Sequence, residues 1–327
     1  MALTTVSPAL LDTQAQYTGF KNRIINGDMR IDQRNSGASV TNTTAYLFGP
    51  DRWKFVGSVV SKFTVQQNAG SITPPTGFIN YFGCTSLSAY TVGAAEQFIF
   101  NQPIEGLNVT DLAWGTANAA TVTLSFWVRS SLTGTFGGAL VNSAGNRSYP
   151  FVYTISTANT WEQKSITVAG DTSGTWLTTN GIGIFVQLSL GAGSTLSTTG
   201  GAWASGYYAS ATGAVSVVGT SGATFYITGV QLEKGTAATL FDVIDYGRQL
   251  QQCQRYYETY TGGFYIPLVN SNGTTSTGFK VTKRVTPTVT VTSGAPSAIT
   301  PSLDAVSFAI YGNTLVQIGG WIAVAEL

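Results

Sequence analysis

Two segments of the chain alternate apolar and polar residues with a period of two. In 121–129 (TVTLSFWVR) and in 181–190 (GIGIFVQLSL), the apolar side chains occupy every second position over most of the run. Successive side chains of a β-strand point to opposite faces of a sheet, so this period predicts half-buried strands. Weaker runs recur from residue 23 to about 240 between clusters of Gly, Ser, Thr and Asn. Many short strands without intervening helical patterns predict an all-β fold, most simply a jelly-roll sandwich.

The composition narrows the possible functions. Charged residues make up 9% of the 327 residues, and 16 Lys and Arg stand against 15 Asp and Glu, which gives a net charge of +1. Such a surface lacks the positive field that holds nucleic acid. The chain has no histidine, which removes the Ser-His-Asp and Cys-His mechanisms and most catalytic zinc sites. We therefore predict that the protein is not an enzyme. The two cysteines, Cys84 and Cys253, are predicted to be packed free thiols.

Glycoside hydrolysis remains an alternative because it needs only two carboxyl groups. No recognisable pair stands out among the 15 acidic residues. Asp28 and Asp32 have Arg30 beside them, which would keep both carboxylates ionised, whereas a general acid must hold its proton. A binding role is therefore favoured over a polysaccharide depolymerase.

The period of the sequence changes after residue 240. Tyr246, Leu250, Cys253 and Tyr257 follow a 4-3-4 spacing that forms one helical stripe, and we predict a connecting helix over 241–260. The stripe can pack on its own domain or form the seam of a short coiled coil around a three-fold axis. Both alternatives stay open, and the second predicts a homotrimer. Strand patterns then return and predict a small C-terminal β domain over 261–327.

The N-terminal region contains two further segments. Residues 1–22 lack apolar periodicity and a signal peptide, so they are predicted to be an arm that attaches to a partner. The jelly roll then spans 23–240. Its first strand is predicted over 22–35 (NRIINGDMRIDQRN), with Ile25, Met29 and Ile31 facing inward. The opposite face, which alternates in charge, is expected to be solvated or to line a subunit contact; it comprises Asp28, Arg30, Asp32 and Arg34.

Aromatic residues in small-residue segments suggest carbohydrate binding. Sugars present C–H faces that lie on aromatic rings and hydroxyl groups that bond to amides and hydroxyls. The segment 201–213 (GAWASGYYASATG) places Trp203, Tyr207 and Tyr208 between small residues, which is typical of a binding loop. The alternative is that each ring packs in a core or at a subunit contact. We predict a glycan site at these three residues and, in the C-terminal region, at Phe264, Tyr265 and Trp321.

The order of motifs over about residues 20–260 resembles bacteriophage tail-fibre and related tail proteins. The motifs are NRIINGDMRIDQRN, DRW at 51–53, QPIEG at 102–106, VTLSFWVRSS, GTFGGAL, TWEQKSITVAGDTSGTW, TFYITGVQLEKGTAATLFD and LQQCQRYYE. The closing WIAVAEL is similar to the end of such fibre chains. The resemblance implies a virion structural protein of the tail, made in the host cytoplasm without a signal peptide. It also implies a homotrimer that attaches to the tail or baseplate through 1–22 and contacts host surface polysaccharide without cleaving it.

The early NGDM and the late FYITGVQLE are similar to the first and last strands of galactose-binding-like jelly rolls of carbohydrate-binding modules. In those relatives a structural calcium often bridges the two strands through an acidic residue of the last one. Thr228 and Gly229 stand at that place here. We therefore predict no metal and no cofactor. We also predict no membrane-spanning segment, because nowhere do 18 apolar residues follow one another. A decoration or connector subunit that binds only other virion proteins is the further alternative.

Overall fold

The computed structural model describes residues 20–262, 264–266, 273–293, 298–301, 305–312 and 316–327. The N-terminal part is a two-sheet β-sandwich, as the alternation predicts. Its strands are β1 (Val40–Thr41), β2 (Tyr46–Phe48), β3 (Lys54–Gly57), β4 (Phe63–Gln67), β5 (Phe82–Ser86), β6 (Gln97–Glu105), β7 (Val122–Ser130), β8 (Gly134–Asn142), β9 (Arg147–Ile155), β10 (Glu162–Val168), β11 (Ile182–Ala192), β12 (Ser197–Thr198), β13 (Ala204–Ser205), β14 (Ser210–Ala211) and β15 (Thr224–Lys234). Short 3₁₀ turns lie at Ala69–Ser71, Gly106–Asn108, Thr110–Leu112, Ser194–Leu196 and Val217–Gly219.

The strands form two large antiparallel sheets. One has the order β1-β4-β5-β15-β7-β10, and the other has the order β13-β9-β8-β11-β6-β3-β2. The apolar side chains of β7 and β11 point into the space between the two sheets. Phenylalanine side chains of other strands pack with them in the same core. Burial of this apolar surface is the main favourable term in folding. The largest buried aromatic side chains of the core are Trp53, Phe55, Phe63, Phe82, Phe98, Phe100, Phe126, Phe136 and Phe151.

A short helix connects the sandwich to the C-terminal β region. Helix α1 (Tyr246–Gln254) is capped by Asp245, whose side chain accepts a hydrogen bond from the backbone N–H of Arg248. The strands that follow are β16 (Tyr257–Tyr260), β17 (Phe264–Ile266), β18 (Gly273–Gly278), β19 (Thr288–Ser293), β20 (Ala298–Pro301), β21 (Ser307–Gly312), β22 (Val316–Ile318) and β23 (Gly320–Val324). They form the sheets β16-β23-β19, β17-β22 and β18-β21-β20. We call the strands β16–β23 the C-terminal unit; its described core comprises Phe279, Phe308, Trp321 and Ala323.

The segment 22–35 is a folded loop and not the predicted first strand. Asn26 and Met29 adopt positive φ angles of 57° and 61°, which a strand does not allow. The inward residues are buried as expected, but they face two cores. Met29 belongs to the sandwich core, whereas Ile25 and Ile31 pack against Cys253 of helix α1.

The charged residues of this loop are not a solvated face. Asp28 is buried and pairs with Arg30 at 2.5 Å, and its Oδ1 accepts a hydrogen bond of 2.8 Å from Nε2 of Gln249 on helix α1. Asp32 accepts backbone N–H groups of the turn that follows. The alternating charges therefore bind the loop to its own chain.

The helix is shorter than predicted and its stripe is divided between different environments. Tyr257 lies on β16, so it cannot continue a helical seam. Cys253 is fully buried against Ile25 and Ile31, Leu250 is half-buried beside them, and Tyr246 is exposed. The buried part of the stripe therefore packs on its own chain, and the helix covers only Tyr246–Gln254 of the predicted range 241–260. Cys84 and Cys253 are both buried free thiols, which confirms that prediction.

Two further predictions concern the N-terminal arm and the absence of a membrane-spanning segment. Residues 1–19 of the predicted arm lie outside the described residues. Asn22, at its end, already belongs to the sandwich, because its side chain accepts hydrogen bonds from the N–H groups of Ile24 and Leu232. No helix in the described ranges is long and apolar enough to cross a membrane.

Candidate functional site

The predicted residue Trp203 is the more exposed member of a tryptophan cluster. Its ring lies 5.3 Å, centroid to centroid, from each of Trp114, Trp176 and Tyr149. Its indole Nε1 donates a 2.7 Å hydrogen bond to the carbonyl oxygen of Ala169. Edge-to-face contacts of this kind stabilise packing beyond the buried area. The position fits the structural alternative, in which the ring fixes the loops between strands.

Tyr207 and Tyr208 lie on the outer face of the seven-stranded sheet. The Tyr207 hydroxyl donates to Oε1 of Gln97 at 2.7 Å and accepts from Nε2 of Gln187 at 3.1 Å. Burial raises the pKa of Tyr207. The backbone N–H of Tyr208 bonds to the hydroxyl of Ser148 at 3.0 Å. Both tyrosines are half-buried, and their segment is fastened to the sheet beneath it.

The three C-terminal residues predicted to bind glycan lie in different environments. Trp321 is only 2% exposed and packs against Phe279 and Phe308, with ring centroids 5.6 and 5.2 Å away. The expectation that its face is open to a sugar is therefore wrong, because the small C-terminal unit needs this ring for its core. Phe264 and Tyr265 lie on β17 opposite Ile318 and Gln317 of β22, a backbone position that leaves their role a prediction. Trp321 is thus not part of an open site with Trp203.

A groove that the sequence analysis did not identify lies at one end of the sandwich. Its volume is about 320 Å³, which is enough for a sugar unit. It is bounded by the connection from β5 to β6, the end of β11 and the 3₁₀ turn Val217–Gly219. We call it the Tyr90 groove; it is lined by Ala89, Tyr90, Thr91, Val92, Ala192, Ser216 and Gly219.

Tyr90 is held in one orientation by contacts on several sides. Its hydroxyl donates to the carboxylate of Glu96, whose two oxygens lie 2.8 and 3.0 Å away, and this hydrogen bond raises the pKa of Tyr90. The Lys62 ammonium lies 4.6 Å from the ring centroid, and Phe98 meets the ring edge to face at 5.9 Å. The backbone N–H of Tyr90 bonds to the carbonyl oxygen of Val218. A fixed aromatic ring loses little entropy when a ligand binds.

One polar group of the groove is buried without a partner. The Ser216 hydroxyl oxygen is shielded from solvent and makes no hydrogen bond within the described residues. An unsatisfied buried polar group of this kind calls for an explanation, because native structures contain few of them. Ser216 lines the groove, so a turn of its side chain about χ1 would present this hydroxyl to a ligand hydroxyl and satisfy it. Exposed Thr91 supplies a further hydroxyl at the rim.

The Tyr90 groove lies at one end of the seven-stranded sheet. The N-terminal residue Arg23 and the residues that follow helix α1 lie at the other end. At one end of β6, Gln97 pairs with Ala192 of the groove. At the other end, Glu105 accepts two hydrogen bonds from Arg255, which follows helix α1. A strand of this length extends roughly 25 Å at about 3.3 Å per residue. The N-terminal residue Arg23 also lies at the Glu105 end, where its guanidinium bonds to the carbonyl oxygen of Asn108.

The contacts at the Glu105 end form a buried, charged junction. Tyr256 donates to Glu105 at 2.6 Å, and the Arg52 guanidinium lies 3.7 Å from the Tyr256 ring centroid. The Glu326 carboxylate, near the end of the chain, pairs with both Arg34 and Arg52. Burial alone would raise the pKa of Glu326, but these arginines hold it below its usual value. We call this region the junction; its charged members are Arg34, Asp51, Arg52, Lys54, Glu105, Arg255, Arg284 and Glu326.

One junction carboxyl group has a raised pKa. Burial raises the pKa of Asp51 from 3.8 to about 6, although hydrogen bonds from Gln33 and the charge of Arg34 act against the shift. A raised pKa is what a general acid needs, but Asp51 is 1% exposed and lies at the end away from the groove. Its role in the structure is therefore to hold the 22–35 loop.

Thr228 and Gly229, which stand where carbohydrate-binding relatives have an acidic calcium ligand, make structural contacts. The Thr228 hydroxyl donates to the carbonyl oxygen of Asn80 at 2.7 Å. Gly229 adopts a φ of 59° within a β-bulge, where an added Cβ would lie 2.5 Å from the Phe78 ring. Among the described residues, no group of three or more His, Cys, Asp or Glu side chains could hold a metal ion.

The Tyr90 groove carried a signal that sequence analysis could have used. Residues 86–95 (SLSAYTVGAA) place one aromatic residue among small residues, as the 201–213 segment does. Composition alone could not separate the two segments, because the difference lies in what each ring contacts. Trp203 meets three other rings, whereas Tyr90 borders an open groove.

Comparisons with known proteins give distant structural neighbours. No protein-family model matches the chain, and no curated protein matches it. The enzymatically active domain of bacteriophage CBA120 tailspike protein 4 is 13% identical, with a TM-score of 0.37 over 65% of this chain and 21% of that chain. A CBM4 structure is 14% identical, with a TM-score of 0.33 over 64% of this chain and 98% of that chain. A family 11 carbohydrate-binding module from Clostridium thermocellum, bound to a β-1,3-1,4-mixed-linked tetrasaccharide, is 12% identical, with a TM-score of 0.30 over 61% and 96%. The chain thus spans about a fifth of the tailspike structure.

Proposed function

We propose that the chain is a subunit of a bacteriophage tail fibre that holds a neutral host glycan in the Tyr90 groove without cleaving it. The observation that carries this proposal is the position of the groove. It lies at the end of the sandwich opposite Arg23, helix α1 and the C-terminal unit. A protein attached to a particle at its junction end would present the groove outward.

The chemistry of the groove favours a saccharide over a charged ligand. Its wall is an aromatic ring, and its polar groups are hydroxyls and backbone amides. The neighbouring cation, Lys62, already lies over the Tyr90 ring, and the carboxylate of Glu96 accepts the Tyr90 hydroxyl. A sugar can place a C–H face on the ring and give a hydroxyl to Ser216. One such contact supplies on the order of 1 kcal/mol, by analogy with aromatic pairs.

Binding without cleavage is supported by the placement of the carboxyl groups. A retaining or inverting glycosidase needs two carboxyl groups about 5–10 Å apart on either side of the scissile bond. Glu96 is engaged by Tyr90 and by the backbone N–H of Gly93 at 2.7 Å. Asp51, whose pKa is raised, is buried at the other end of the sheet.

Attachment and assembly complete the proposal. The motif order of residues 20–260 supports a tail protein made in the host cytoplasm, with residues 1–22 binding another tail or baseplate protein. A single weak site needs several copies for useful adhesion, because linked sites raise the overall avidity. We propose a homotrimer for this reason and because the motifs resemble those of tail fibres.

The test measures binding of the full chain to purified host surface polysaccharide. Thr91→Trp should block the groove without disturbing the core, because Thr91 is exposed, and Tyr90→Ala should remove the platform. Thr91→Trp should weaken binding at least tenfold, and Tyr90→Ala, which loses on the order of 1 kcal/mol, should weaken it roughly fivefold. The control Tyr46→Ala, on the exposed edge strand β2, should bind as the wild type does. Equal binding by the Thr91→Trp variant would overturn the site.

Two further readouts test the rest of the proposal. Release of reducing ends from the polysaccharide by the purified protein would replace the binding role by the depolymerase alternative. Binding of the protein to phage particles alone, with none to host polysaccharide, would favour the connector alternative. A chain lacking residues 1–19, which keeps the Asn22 contacts with the sandwich, should fold and bind glycan but should be absent from purified particles.

A further inference from the structure

A second cleft lies at the junction end, between the start of the described chain and helix α1. Its volume is about 320 Å³. Its walls come from the loop 20–27, the connection 241–245 and the first turns of the helix. Its lining includes Phe20, Asp242, Asp245, Arg248 and Gln249.

The cleft contains an unpartnered acceptor. Gln249 is 3% exposed, and its Nε2 donates to Oδ1 of Asp28 at 2.8 Å. Its other atom, Oε1, is buried and accepts no hydrogen bond within the described residues. A buried acceptor without a donor costs about 1–3 kcal/mol. A donor from outside this chain would remove that cost.

Apolar side chains are exposed beside the cleft. Leu240 is 89% exposed, Val243 71% and Tyr246 56%, all within seven consecutive residues, and Phe20 is 43% exposed at the rim. Single exposed apolar residues are ordinary, but a contiguous group marks an interaction surface. The group continues directly into the polar cleft, so one partner can cover both.

The charges at the cleft are complementary to each other. Within the described residues, Asp242 and Arg248 each lack an ion pair, and Asp245 uses one oxygen to cap the helix. The cleft therefore offers carboxylate and amide acceptors, and its rim carries the guanidinium that would satisfy them. Seven consecutive residues thus present both halves of one contact.

We propose that Arg248 and the cleft beside it, which both belong to the surface formed by residues 240–248, are the two halves of a head-to-tail contact between copies of the chain. Arg248 of one copy enters the cleft of the next and donates to Asp242 and to Oε1 of Gln249. The apolar side chains of 240–246 pack beside this contact. Repetition of one contact around a rotation axis gives a closed assembly. The inference rests on the homo-oligomer of the proposed function, and it does not depend on glycan binding.

A charge exchange tests the contact. Light scattering of the full chain at micromolar concentration should give a multiple of 34 kDa for the wild type. Arg248→Glu and Asp242→Arg should each shift the mass towards the monomer, because each places like charges together at the contact. The double variant Asp242→Arg/Arg248→Glu should recover the wild-type mass. Melting curves should show that all variants remain folded, since both side chains are at the surface or lack partners in the described chain.

Co-assembly separates contacts between copies from those within one. Mixed with the wild type, the double variant should form its own oligomers and exclude wild-type chains, because mixed contacts pair like charges. An interaction within one chain would allow free mixing. Val243→Asp should also favour the monomer, whereas the control Ile79→Asp, at an equally exposed position elsewhere, should not.

Three results would overturn the inference. The first is a wild-type monomer, in which case residues 1–19 or another protein would be the occupant of the cleft. The second is an oligomer that both single charge variants leave unchanged. The third is free mixing of wild type and double variant. None of these results changes the affinity of a single groove for a short oligosaccharide of the host polysaccharide, so the failure of this inference is distinguishable from the failure of the glycan site.

Discussion

The two ends of the sandwich differ in the side chains that they use. At the junction, carboxylates and guanidinium groups meet in buried pairs such as Glu105–Arg255 and Glu326–Arg34. At the groove, hydroxyls and one aromatic ring border open space, and the nearby charges of Lys62 and Glu96 are engaged by Tyr90. A chain with only 9% charged residues has placed many of them where two parts of the protein meet.

The difference shows what each end can do. Buried ion pairs with several hydrogen bonds tolerate few arrangements, so they fix the C-terminal unit in one position on the sandwich. An uncharged groove imposes no such demand and can bind a neutral ligand by shape and hydroxyl contacts. The junction is therefore structural, and the groove is the place of the proposed glycan binding.

The largest expected effect is at the junction. Glu105→Ala removes the acceptor of Arg255 and of the buried Tyr256 hydroxyl. Glu105 is buried but the Arg255 side chain is 33% exposed, so water offsets part of the cost of breaking a fully buried pair, and we expect a loss of about 3–4 kcal/mol. Chemical unfolding should show this loss, and the C-terminal unit should become sensitive to protease before the sandwich does.

A surface pair provides the control for this experiment. Lys234 lies 3.7 Å from Asp111, with both side chains substantially exposed. Lys234→Ala should change the free energy of unfolding by less than about 1 kcal/mol. If Glu105→Ala had an equally small effect, the junction would not be the rigid connection described above.

The next effect concerns the tryptophan cluster. Trp203→Ala removes three aromatic contacts and leaves a gap beside buried Trp114 and Trp176. We expect a loss of about 2–4 kcal/mol in the free energy of unfolding. Polysaccharide binding, measured well below the melting temperature, should stay within twofold of the wild type. If the variant folded but lost polysaccharide binding, the glycan site would lie in 201–213 and not in the groove.

The buried carboxyl group of Asp51 should make the stability of the junction depend on pH. The pKa of Asp51 is about 6 in the folded chain and near 3.8 when exposed, so the folded state holds the proton more tightly. Stability should therefore decline as the pH rises from about 4 to 6, by up to about 3 kcal/mol for this group. Asp51→Asn should remove that decline, and the melting temperatures of the two proteins should be compared across this range. A constant difference between them would contradict the raised pKa.

The smallest effect is at the start of helix α1. Asp245→Ala removes the acceptor that caps the backbone N–H of Arg248, which typically costs about 1 kcal/mol. Asp245→Asn keeps an acceptor and should retain most of the stability. Equal losses for the two variants would show that the charge, and not the cap, is what matters there.

The sequence predicts the period-two strands of the fold but not its junction. β7 and β11 follow from alternation, because one face of each strand must be buried. The loop 22–35 has the same alternation, yet it is no strand. Side chains such as Asp28 and Arg34 reach partners on helix α1 and at residue 326, and contacts that distant in sequence leave no local period.

The aromatic residues predicted to bind glycan also depend on contacts that the sequence does not reveal. Trp203 and Tyr90 both stand among small residues, and no sequence rule separates a ring that packs from one that borders a groove. Trp321 is buried because it packs against Phe279 and Phe308 in the described core of the C-terminal unit. The aromatic pattern could predict that loops carry rings, but only the tertiary contacts show which ring is accessible.

The most direct test of the account is amide hydrogen exchange of the full chain with and without host surface polysaccharide. We predict slower exchange in 86–96 and 216–220, including the Tyr90 amide that bonds to Val218, with no change in helix α1 or at the junction. Protection confined to 201–208, or to the residues around Glu105, would contradict the claim that the free end of the sandwich is the binding end.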